Sequence, residues 1–271
     1  MKKNKPIIEL ENIKEIYGEY LANKNYMNQI QRRSLQEKDG EKFLRPASWA
    51  GHCAKKHKYL EENVIPDTPK YDDLSKLRLG TLIHQDILKS LINNPNLKNI
   101  PKGTICLIET PVELDVEKVR GSADVVFIRN SEADIKDFKS MSSFPWKRKF
   151  GLTKNRDLNP SRKYEFQIGT YALGVNYRYG VKTTNMEIVY YKKDTSVMKS
   201  EGVSLNYIDK AEEYWMDINK ICEKKLEEII PGETMHTPVE QWECNYCPFA
   251  YICDSPFITK RLNAISTTTS K

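Results

Sequence analysis

The chain has 271 residues, of which 39% are hydrophobic and 30% are charged. This composition excludes a disordered chain and is typical of a globular protein with one large domain or two small ones. No apolar run approaches the roughly 20 residues that span a membrane, and the basic start Met1–Lys5 is not followed by an apolar segment. We therefore expect no membrane partner and an intracellular protein, in the cytoplasm of a bacterium or a phage-infected cell.

The formal net charge is +6, and the positive charge is clustered. Basic patches lie at Lys55–Lys58, Lys147–Lys149 and Lys154–Lys163. Such patches suit the phosphate backbone of a nucleic acid, although the ordinary surface charge of a lysine-rich chain would look the same. The sequence contains no Gly-x-x-x-x-Gly-Lys-Ser/Thr motif, so a motor or helicase activity would need another chain.

Residues 1–44 are charged, carry apolar residues at helical spacing, and predict an N-terminal helical arm. A helix with Ser48 as its N-cap follows and is expected to run to Glu61. An apolar stripe over Leu74–Leu91 predicts another helix, which Asn93-Asn94-Pro95 would end. The first third of the chain is therefore expected to be helical.

The middle of the chain alternates apolar and polar residues and predicts three consecutive strands as a meander, Ile105–Leu114, Val119–Ile128 and Ala133–Ser140. The remaining predicted elements are an aromatic and basic loop over residues 141–160 that could gate the site, the helix Arg162–Tyr179, the strand Met186–Tyr191, the helix Tyr207–Ile230 and a disordered tail over residues 261–271. This order predicts an α/β fold, in which a mixed central sheet carries the site and helices flank it.

Two aspartates and a lysine lie on the second and third predicted strands. A hairpin closed about Asn130-Ser131 would place Asp124 opposite Asp137, with Cβ atoms roughly 5 Å apart. Carboxylates this close repel each other, whereas a bound divalent cation makes the arrangement favourable. Lys139 projects from the same face as Asp137, where it can orient the attacking water or stabilise a charged transition state. An Asp-x-Lys pattern alone is also common on a solvated strand face, and Gly121-x-x-Asp124 makes the catalytic interpretation stronger.

Further polar residues recur at helical spacing. Gly80 and His84 share a helix face; the glycine suggests close packing, and a neutral imidazole is a ligand for Mn²⁺. Gln167 and Tyr171 also share a face and could orient a phosphate or a catalytic water. Glu109, on the first predicted strand, could support the metal or the lysine. Taken one at a time, each of these residues also fits an ordinary packing or surface role.

Six cysteines in an intracellular chain favour metal or cofactor ligation over disulfides. Cys244, Cys247 and Cys253 form a Cys-x-x-Cys pattern with a third nearby thiol, which needs a fourth ligand. The candidates for this ligand are Cys53 and, as substitutes, His52 and His57. Cys106 and Cys222 are interpreted as core residues. Four thiolates hold either zinc or an iron–sulfur cluster, and the spacing alone leaves both open.

The ordered set Gly80-x-x-x-His84, Gly121-x-x-Asp124, Asp137-x-Lys139 and Gln167-x-x-x-Tyr171 resembles the motifs of RecB-type nucleases of the PD-(D/E)xK superfamily. The resemblance implies a restriction-endonuclease-like nuclease domain over residues 45–260. It also implies that Mg²⁺ or Mn²⁺ is bound by His84, Asp124, Asp137 and the backbone carbonyl of Phe138. Lys139 would be the catalytic lysine, with Gln167 and Tyr171 as further catalytic residues.

The distant Cys53 combined with the C-terminal cysteine triad resembles the cluster-bearing branch of the RecB-like nucleases. AddB and the CRISPR-adaptation Cas nucleases belong to this branch. The resemblance implies a [4Fe–4S] cluster rather than zinc, with the ligands Cys53, Cys244, Cys247 and Cys253. Such a cluster would join the N- and C-terminal segments around the nuclease core.

These expectations describe a metal-dependent DNA exonuclease that acts on single-stranded ends in recombination, repair or replication. A helicase or recombination protein is a candidate partner. Phe144, Trp146 and Tyr164 are candidates for stacking on DNA bases. Two alternatives stay open: a nucleic-acid-binding subunit without catalytic activity, and a CRISPR-adaptation nuclease with the same active-site chemistry.

Overall fold

The computed structural model of the chain describes residues 15–24, 37–38, 41–42, 45–67, 71–92, 100–151, 162–231, 241–256 and 258. Within the predicted N-terminal arm, these include a helix, α1, over residues 15–24 and a ribbon of β1 (Glu37–Lys38) and β2 (Glu41–Lys42). The predicted tail lies outside the described residues. Among the helices described, none is long and apolar enough to cross a membrane.

A six-stranded mixed sheet forms the centre of the molecule. Its strands are β3 (Arg45–Pro46), β4 (Ile105–Leu114), β5 (Val119–Arg129), β6 (Glu132–Met141), β7 (Lys182–Lys192) and β8 (Met198–Gly202). The strands β4, β5 and β6 form the predicted antiparallel meander, β6 pairs parallel with β7, and β8 adds an antiparallel edge. The predicted mixed sheet is confirmed. The pattern missed β8 because nearly all its residues are exposed and show no apolar alternation.

Helices flank this sheet. They are α2 (Ala54–Glu61), α3 (Tyr71–Ile92), α4 (Ser143–Phe150), α5 (Arg162–Tyr179) and α6 (Asn206–Cys222). The main core lies between the sheet and the α5–α6 pair, and α5 is buried without interruption over residues 166–175. Trp215 of α6 donates its indole N–H to Thr170 Oγ1 at 2.9 Å. Gly169 leaves no room for a Cβ against the Tyr207 carbonyl, so the two helices meet at backbone distance. This packing fixes the helix that carries Gln167 and Tyr171.

The helix predicted from Ser48 to Glu61 is wrong in its first part. The chain forms a 3-10 turn, Ala47–Trp49, and only then α2. Gly51 between them has a φ of 75°, a left-handed conformation that interrupts helical hydrogen bonding. The N-cap position of α2 is therefore Cys53 rather than Ser48.

Two other predicted boundaries need correction. The first part of the predicted loop forms α4, in which the ring centroid of the buried Trp146 lies 4.6 Å from that of Phe150; residues 152–161 lie outside the described part. The helix predicted as Tyr207–Ile230 ends at Cys222, and a 3-10 turn follows at Leu226–Glu228. The Cys222 carbonyl, which a helix end leaves unpaired, accepts a hydrogen bond from Lys58 Nζ at 2.8 Å.

Candidate active site

The strands β5 and β6 separate at the predicted residues Asp124 and Asp137, and we call this separation the fork. The turn that joins the two strands, Asn130-Ser131, has φ values of 51° and 62°, as a two-residue type I′ turn requires. The registered pairs run from this turn to Val125 opposite Lys136 and stop there. β4 pairs along one edge of β5. The other edge of β5 is shared, because β6 pairs with its residues next to the turn and β3 pairs with Val119 and Arg120 at its opposite end. Asp124 and Asp137 are the first residues beyond the last registered pair.

Asp124 links this fork to helix α3. Its Oδ2 accepts a hydrogen bond from the Phe138 backbone N–H at 2.7 Å and lies 3.0 Å from Nε2 of His84. The hydrogen bond with Asp124 raises the pKa of His84, although burial opposes the rise. Gly80, one turn earlier in α3, lets the helix approach β6, since a Cβ there would lie 3.0 Å from Ser140 Oγ. The structure thus brings the predicted residues His84 and Asp124 together.

Asp137 and Lys139 form a buried ion pair. Asp137 is fully buried, and the Lys139 ammonium lies 3.0 Å from Oδ1 and 2.8 Å from Oδ2. Burial raises the pKa of Asp137 to about 6, while Lys139 opposes the rise. Burial lowers the pKa of Lys139, but the charge of Asp137 together with those of Tyr171, Asp124 and Tyr164 outweighs burial and raises this pKa above its ordinary value. Lys139 therefore stays protonated at neutral pH and is suited to stabilising negative charge rather than to accepting a proton.

Helix α5 presents Gln167 and Tyr171 to this ion pair. Both side chains are buried, and Gln167 Nε2 donates a hydrogen bond to the Tyr171 hydroxyl oxygen at 2.5 Å. Burial raises the pKa of Tyr171, and the nearby Asp137 carboxylate raises it further. Tyr164, on the preceding turns of the same helix face, places its ring centroid 5.0 Å from Lys139 Nζ. The predicted helical pair therefore adjoins the predicted strand residues.

The aromatic residues predicted to stack on DNA bases have three different environments. Trp146 is buried in the main core, so the prediction that it stacks on DNA is wrong. Tyr164 is half-buried beside Lys139, and Phe144 is 72% exposed. The sequence shows that these residues are aromatic, but it does not show how the side chains of α4 pack.

Glu109 contributes negative charge on the α3 side of the fork. It lies in β4 at the register position opposite Asp124, between the pairs Ile108 with Val125 and Thr110 with Ala123. Its φ of 48° is uncommon for a residue other than glycine. Its carboxylate raises the pKa of His84, although less than Asp124 does. No sequence pattern signals this backbone conformation.

The fork offers donors that suit a hard divalent metal ion. Apart from its contact with Lys139, the buried Oδ2 of Asp137 accepts no hydrogen bond from any described residue, a state that a cation would satisfy. Asp124 and His84 add a carboxylate and an imidazole. In this structure the donors pair with their neighbours, and no three His, Cys, Asp or Glu side chains in the described ranges are grouped as ligands of one ion. A bound ion would polarise a phosphoryl oxygen and acidify a water.

A second group of candidate ligands lies where the C-terminal segment meets α2. All six cysteines are free thiols. Cys244, at the end of α7 (Gln241–Asn245), shares a small apolar cluster with Cys247 and Cys253. Burial raises the pKa of each of these three thiols, and the charge of Cys53 raises each further. The four predicted cluster ligands thus share one neighbourhood, although within the described residues they are not spaced as ligands of one ion.

The histidines considered as substitute ligands have other partners. Nε2 of the fully buried His57 lies 2.9 Å from the Tyr214 hydroxyl oxygen, and Nδ1 of His52 lies 3.1 Å from Lys56 Nζ. These contacts favour Cys53 as the fourth ligand. The cysteines interpreted as core residues are Cys106, half-buried in β4, and Cys222, buried in α6.

A mixed sheet that presents two aspartates and a lysine at a fork is the arrangement of a metal-dependent nuclease. The sequence matches the PD-(D/E)XK nuclease superfamily over residues 97–254, and the chain belongs to that superfamily. Its members typically use Mg²⁺ or Mn²⁺, and DNA is the substrate that the family implies.

Solved structures similar to the chain include the protein SSO0001, at 18% identity and a TM-score of 0.48, with 88% of this chain and 96% of that chain covered. Another is a "putative exonuclease" from Eubacterium rectale, at 17% identity and a TM-score of 0.34, with 58% of this chain and 62% of that chain covered. No curated protein is significantly similar in sequence.

Metal binding at the fork should weaken as the pH falls through about 6, the pKa of the buried Asp137 carboxyl. Below that pH the metal must displace one proton from Asp137 and another from His84, whose pKa is raised by Asp124, so the apparent affinity is expected to fall by up to about a hundredfold per pH unit. Titration calorimetry with Mn²⁺ between pH 5 and 8 measures this. Asp134→Asn, three residues away on the other face of β6, should leave the pH dependence unchanged. An affinity that is constant across this range would contradict the prediction.

Proposed function

We propose that the chain is a metal-dependent exonuclease of the RecB-like class that hydrolyses phosphodiester bonds at the ends of single-stranded DNA. The observation that supports this most directly is the meeting of the predicted motifs at one fork of the sheet. The residues of this fork are His84, Asp124, Asp137, Lys139, Gln167 and Tyr171.

His84, Asp124, Asp137 and the Phe138 carbonyl would bind the Mg²⁺ or Mn²⁺ ion. The N–H and C=O of one strand residue point toward the same neighbouring strand. Since the Phe138 N–H already reaches Asp124 Oδ2 at 2.7 Å, its carbonyl faces the same edge of β6. This geometry supports Phe138 as the backbone ligand.

Lys139, Gln167 and Tyr171 would act on the phosphate and the attacking water. The protonated Lys139 would stabilise the negative charge that develops on the phosphoryl oxygens. The Tyr171 hydroxyl oxygen accepts its hydrogen bond from Gln167, so its own proton is available for another acceptor. With Asp137 and Lys139 as its charged neighbours, that proton is suited to orienting a phosphate oxygen or the water.

Cys53, Cys244, Cys247 and Cys253 would hold a [4Fe–4S] cluster, with zinc as the alternative occupant. Supporting contacts already join the segments on which these cysteines lie. Lys55 Nζ lies 2.7 Å from Asp254 Oδ1, and the Asp67 N–H donates to the Pro248 carbonyl at 2.8 Å. The cluster would have a structural role, holding the C-terminal segment on α2.

The activity would serve recombination or repair beside a helicase, or CRISPR adaptation. The competing reading, a DNA-binding subunit without activity, lacks support because Asp124, Asp137 and Lys139 are all present and in contact with site neighbours. A subunit that only binds DNA would not require a buried Asp137–Lys139 ion pair at this position.

Degradation of linear single-stranded DNA, labelled separately at its 5′ and 3′ ends, tests the proposal. Protein purified without oxygen should degrade the DNA with Mn²⁺ or Mg²⁺ and not with a chelator, and Asp137→Ala should be inactive. The label released first gives the polarity. If the wild type binds the DNA but leaves it intact with either metal, the protein is a binding subunit.

A further inference from the structure

The ring of Tyr164 faces the Lys139 ammonium at the fork. Lys139 Nζ lies over this ring, 5.0 Å from its centroid. A cation within about 6 Å of an aromatic centroid is attracted by the negative face of the ring. Tyr164 is half-buried, and the Lys139 side chain is only 18% exposed. The contact is therefore partly withdrawn from water, which strengthens the attraction.

Tyr164 belongs to the face of α5 that adjoins the proposed site. It precedes Gln167 by three residues and Tyr171 by seven, which is the spacing of one helix face. Gln167 and Tyr171 are buried, and Tyr164 acts electrostatically on Lys139 as Tyr171 does. The ring is thus part of the same wall as two predicted catalytic residues, although the Gln-x-x-x-Tyr pattern does not include it.

The first turns of α5 are fixed on both sides of Tyr164. The preceding residue, Lys163, forms an ion pair with Glu243 of α7. The buried ring of Phe166 packs edge-on against that of Tyr207, with the two centroids 5.4 Å apart. Because these contacts anchor the backbone, the ring of Tyr164 approaches the ammonium from a fixed position on the helix.

The carboxylate that holds Lys139 has a second proposed role. Asp137 lies 2.8 Å and 3.0 Å from the ammonium through its two oxygens, and it is also a proposed metal ligand. Two cations that share one carboxylate repel each other. The face of an aromatic ring attracts an ammonium but offers no oxygen to a hard divalent ion. The ring can therefore hold the ammonium without competing for the metal.

We propose that Tyr164 is a positioning residue for Lys139, whose ring face keeps the ammonium directed at the phosphate that is cut. The inference rests on the proposed nuclease function, and it gives Tyr164 a role in the rate of cleavage rather than in stacking on a DNA base. A ring face restricts the ammonium without accepting a directed hydrogen bond, so N–H donors of Lys139 remain available for phosphoryl oxygens.

Steady-state degradation of single-stranded DNA at saturating Mn²⁺ tests this role. Tyr164→Leu should lower kcat about tenfold, the effect of one partly desolvated cation–π contact, and should leave KM unchanged, because the contact acts on the transition state. Tyr164→Phe keeps the ring face and should retain wild-type kcat. Tyr179→Leu is the matched control, since Tyr179 lies at the other end of α5, about 22 Å along the axis, and has a cation–π contact of its own with Arg178. It should keep wild-type kcat.

A double variant separates positioning from a general structural effect. Once Lys139 is replaced by methionine, no ammonium remains for the ring to position. Tyr164→Leu should therefore slow the wild type about tenfold and have no further effect on Lys139→Met. Losses of kcat that multiply in the double variant would show that the ring acts independently of Lys139, and would overturn the inference.

DNA affinity, measured by fluorescence anisotropy in a chelator, distinguishes positioning from base stacking. Wild-type affinity for Tyr164→Leu supports positioning, whereas weaker affinity with wild-type kcat would make Tyr164 a stacking residue. A Tyr164→Phe protein as slow as Tyr164→Leu would assign the effect to the hydroxyl group and overturn the role of the ring face. Both of these results would leave the nuclease function intact, but a wild type that does not cut DNA would overturn the inference and the function together.

Discussion

Replacing Lys139 by methionine should lower kcat for single-stranded DNA by about 10²–10³-fold, the effect of losing one charge-stabilising donor in an active site. The ammonium lies 2.8 Å and 3.0 Å from the two carboxylate oxygens of the buried Asp137, so its position is fixed at the fork. Affinity for DNA measured without metal should change only severalfold, because one charge among several basic residues is removed.

The same substitution should shift the protonation of Asp137. Lys139 lowers the pKa of this carboxyl, against burial and the Asp124 charge, which raise it. Without the ammonium, Asp137 stays protonated up to a higher pH. Mn²⁺ must then displace this proton at pH values closer to 7. The pH at which Mn²⁺ binding weakens, measured by calorimetry, is therefore expected to rise above about 6.

Lys136→Met is the matched control for Lys139→Met. Lys136 lies three residues earlier in β6, on the opposite face, and pairs with Glu187 at 2.5 Å and Asp134 at 3.1 Å. The control loses the same charge from the same strand but should keep kcat within a few-fold of wild type. Wild-type kcat for Lys139→Met at saturating metal would remove Lys139 from the catalytic mechanism.

The local parts of the fold were predictable because their signals lie within a few residues. The turn Asn130-Ser131 and the alternation on either side of it predict the hairpin that brings Asp124 near Asp137. The helix Arg162–Tyr179 was predicted with its observed bounds, and Gly180 after it has the φ of 61° typical of a helix C-terminus.

Features that depend on distant contacts were not predictable. The fork exists because β3 takes up one edge of β5, a pairing between residues more than 70 positions apart. The contact of His84 with Asp124 depends on how α3 docks, and the ring of Tyr164 over Lys139 depends on α5. The helix α4 was missed because its stabilising contact, Trp146 with Phe150, lies in an otherwise basic and polar segment.

Replacing Cys247 by serine should destabilise the whole domain, because Cys247 is a proposed cluster ligand close to Cys53 in space. Joining Cys53 to Cys244 closes a loop of about 190 residues, and a cross-link of that size contributes about 5 kcal/mol by the chain-entropy estimate. For a protein of this size, such a loss corresponds to a fall in Tm of about 10–20 °C. Serine keeps the size of the side chain, so the change reports the lost ligand rather than a cavity.

Cys106→Ser is the control that separates ligation from the general effect of losing a thiol. Cys106 is half-buried in β4, and burial alone is the cause that raises its pKa. The pKa values of Cys244, Cys247 and Cys253 are raised by burial and also by electrostatic interaction with Cys53. Both variants and the wild type should be purified without oxygen and compared for bound iron and zinc, visible absorbance and Tm. Cys106→Ser should match the wild type, while Cys247→Ser should lose the metal and have a lower Tm.

A Cys247→Ser protein that lacks metal yet keeps wild-type Tm and nuclease activity would show that no metal centre holds the C-terminal segment on α2. The Lys55–Asp254 ion pair and the apolar contacts around Cys244 would then be sufficient for that packing.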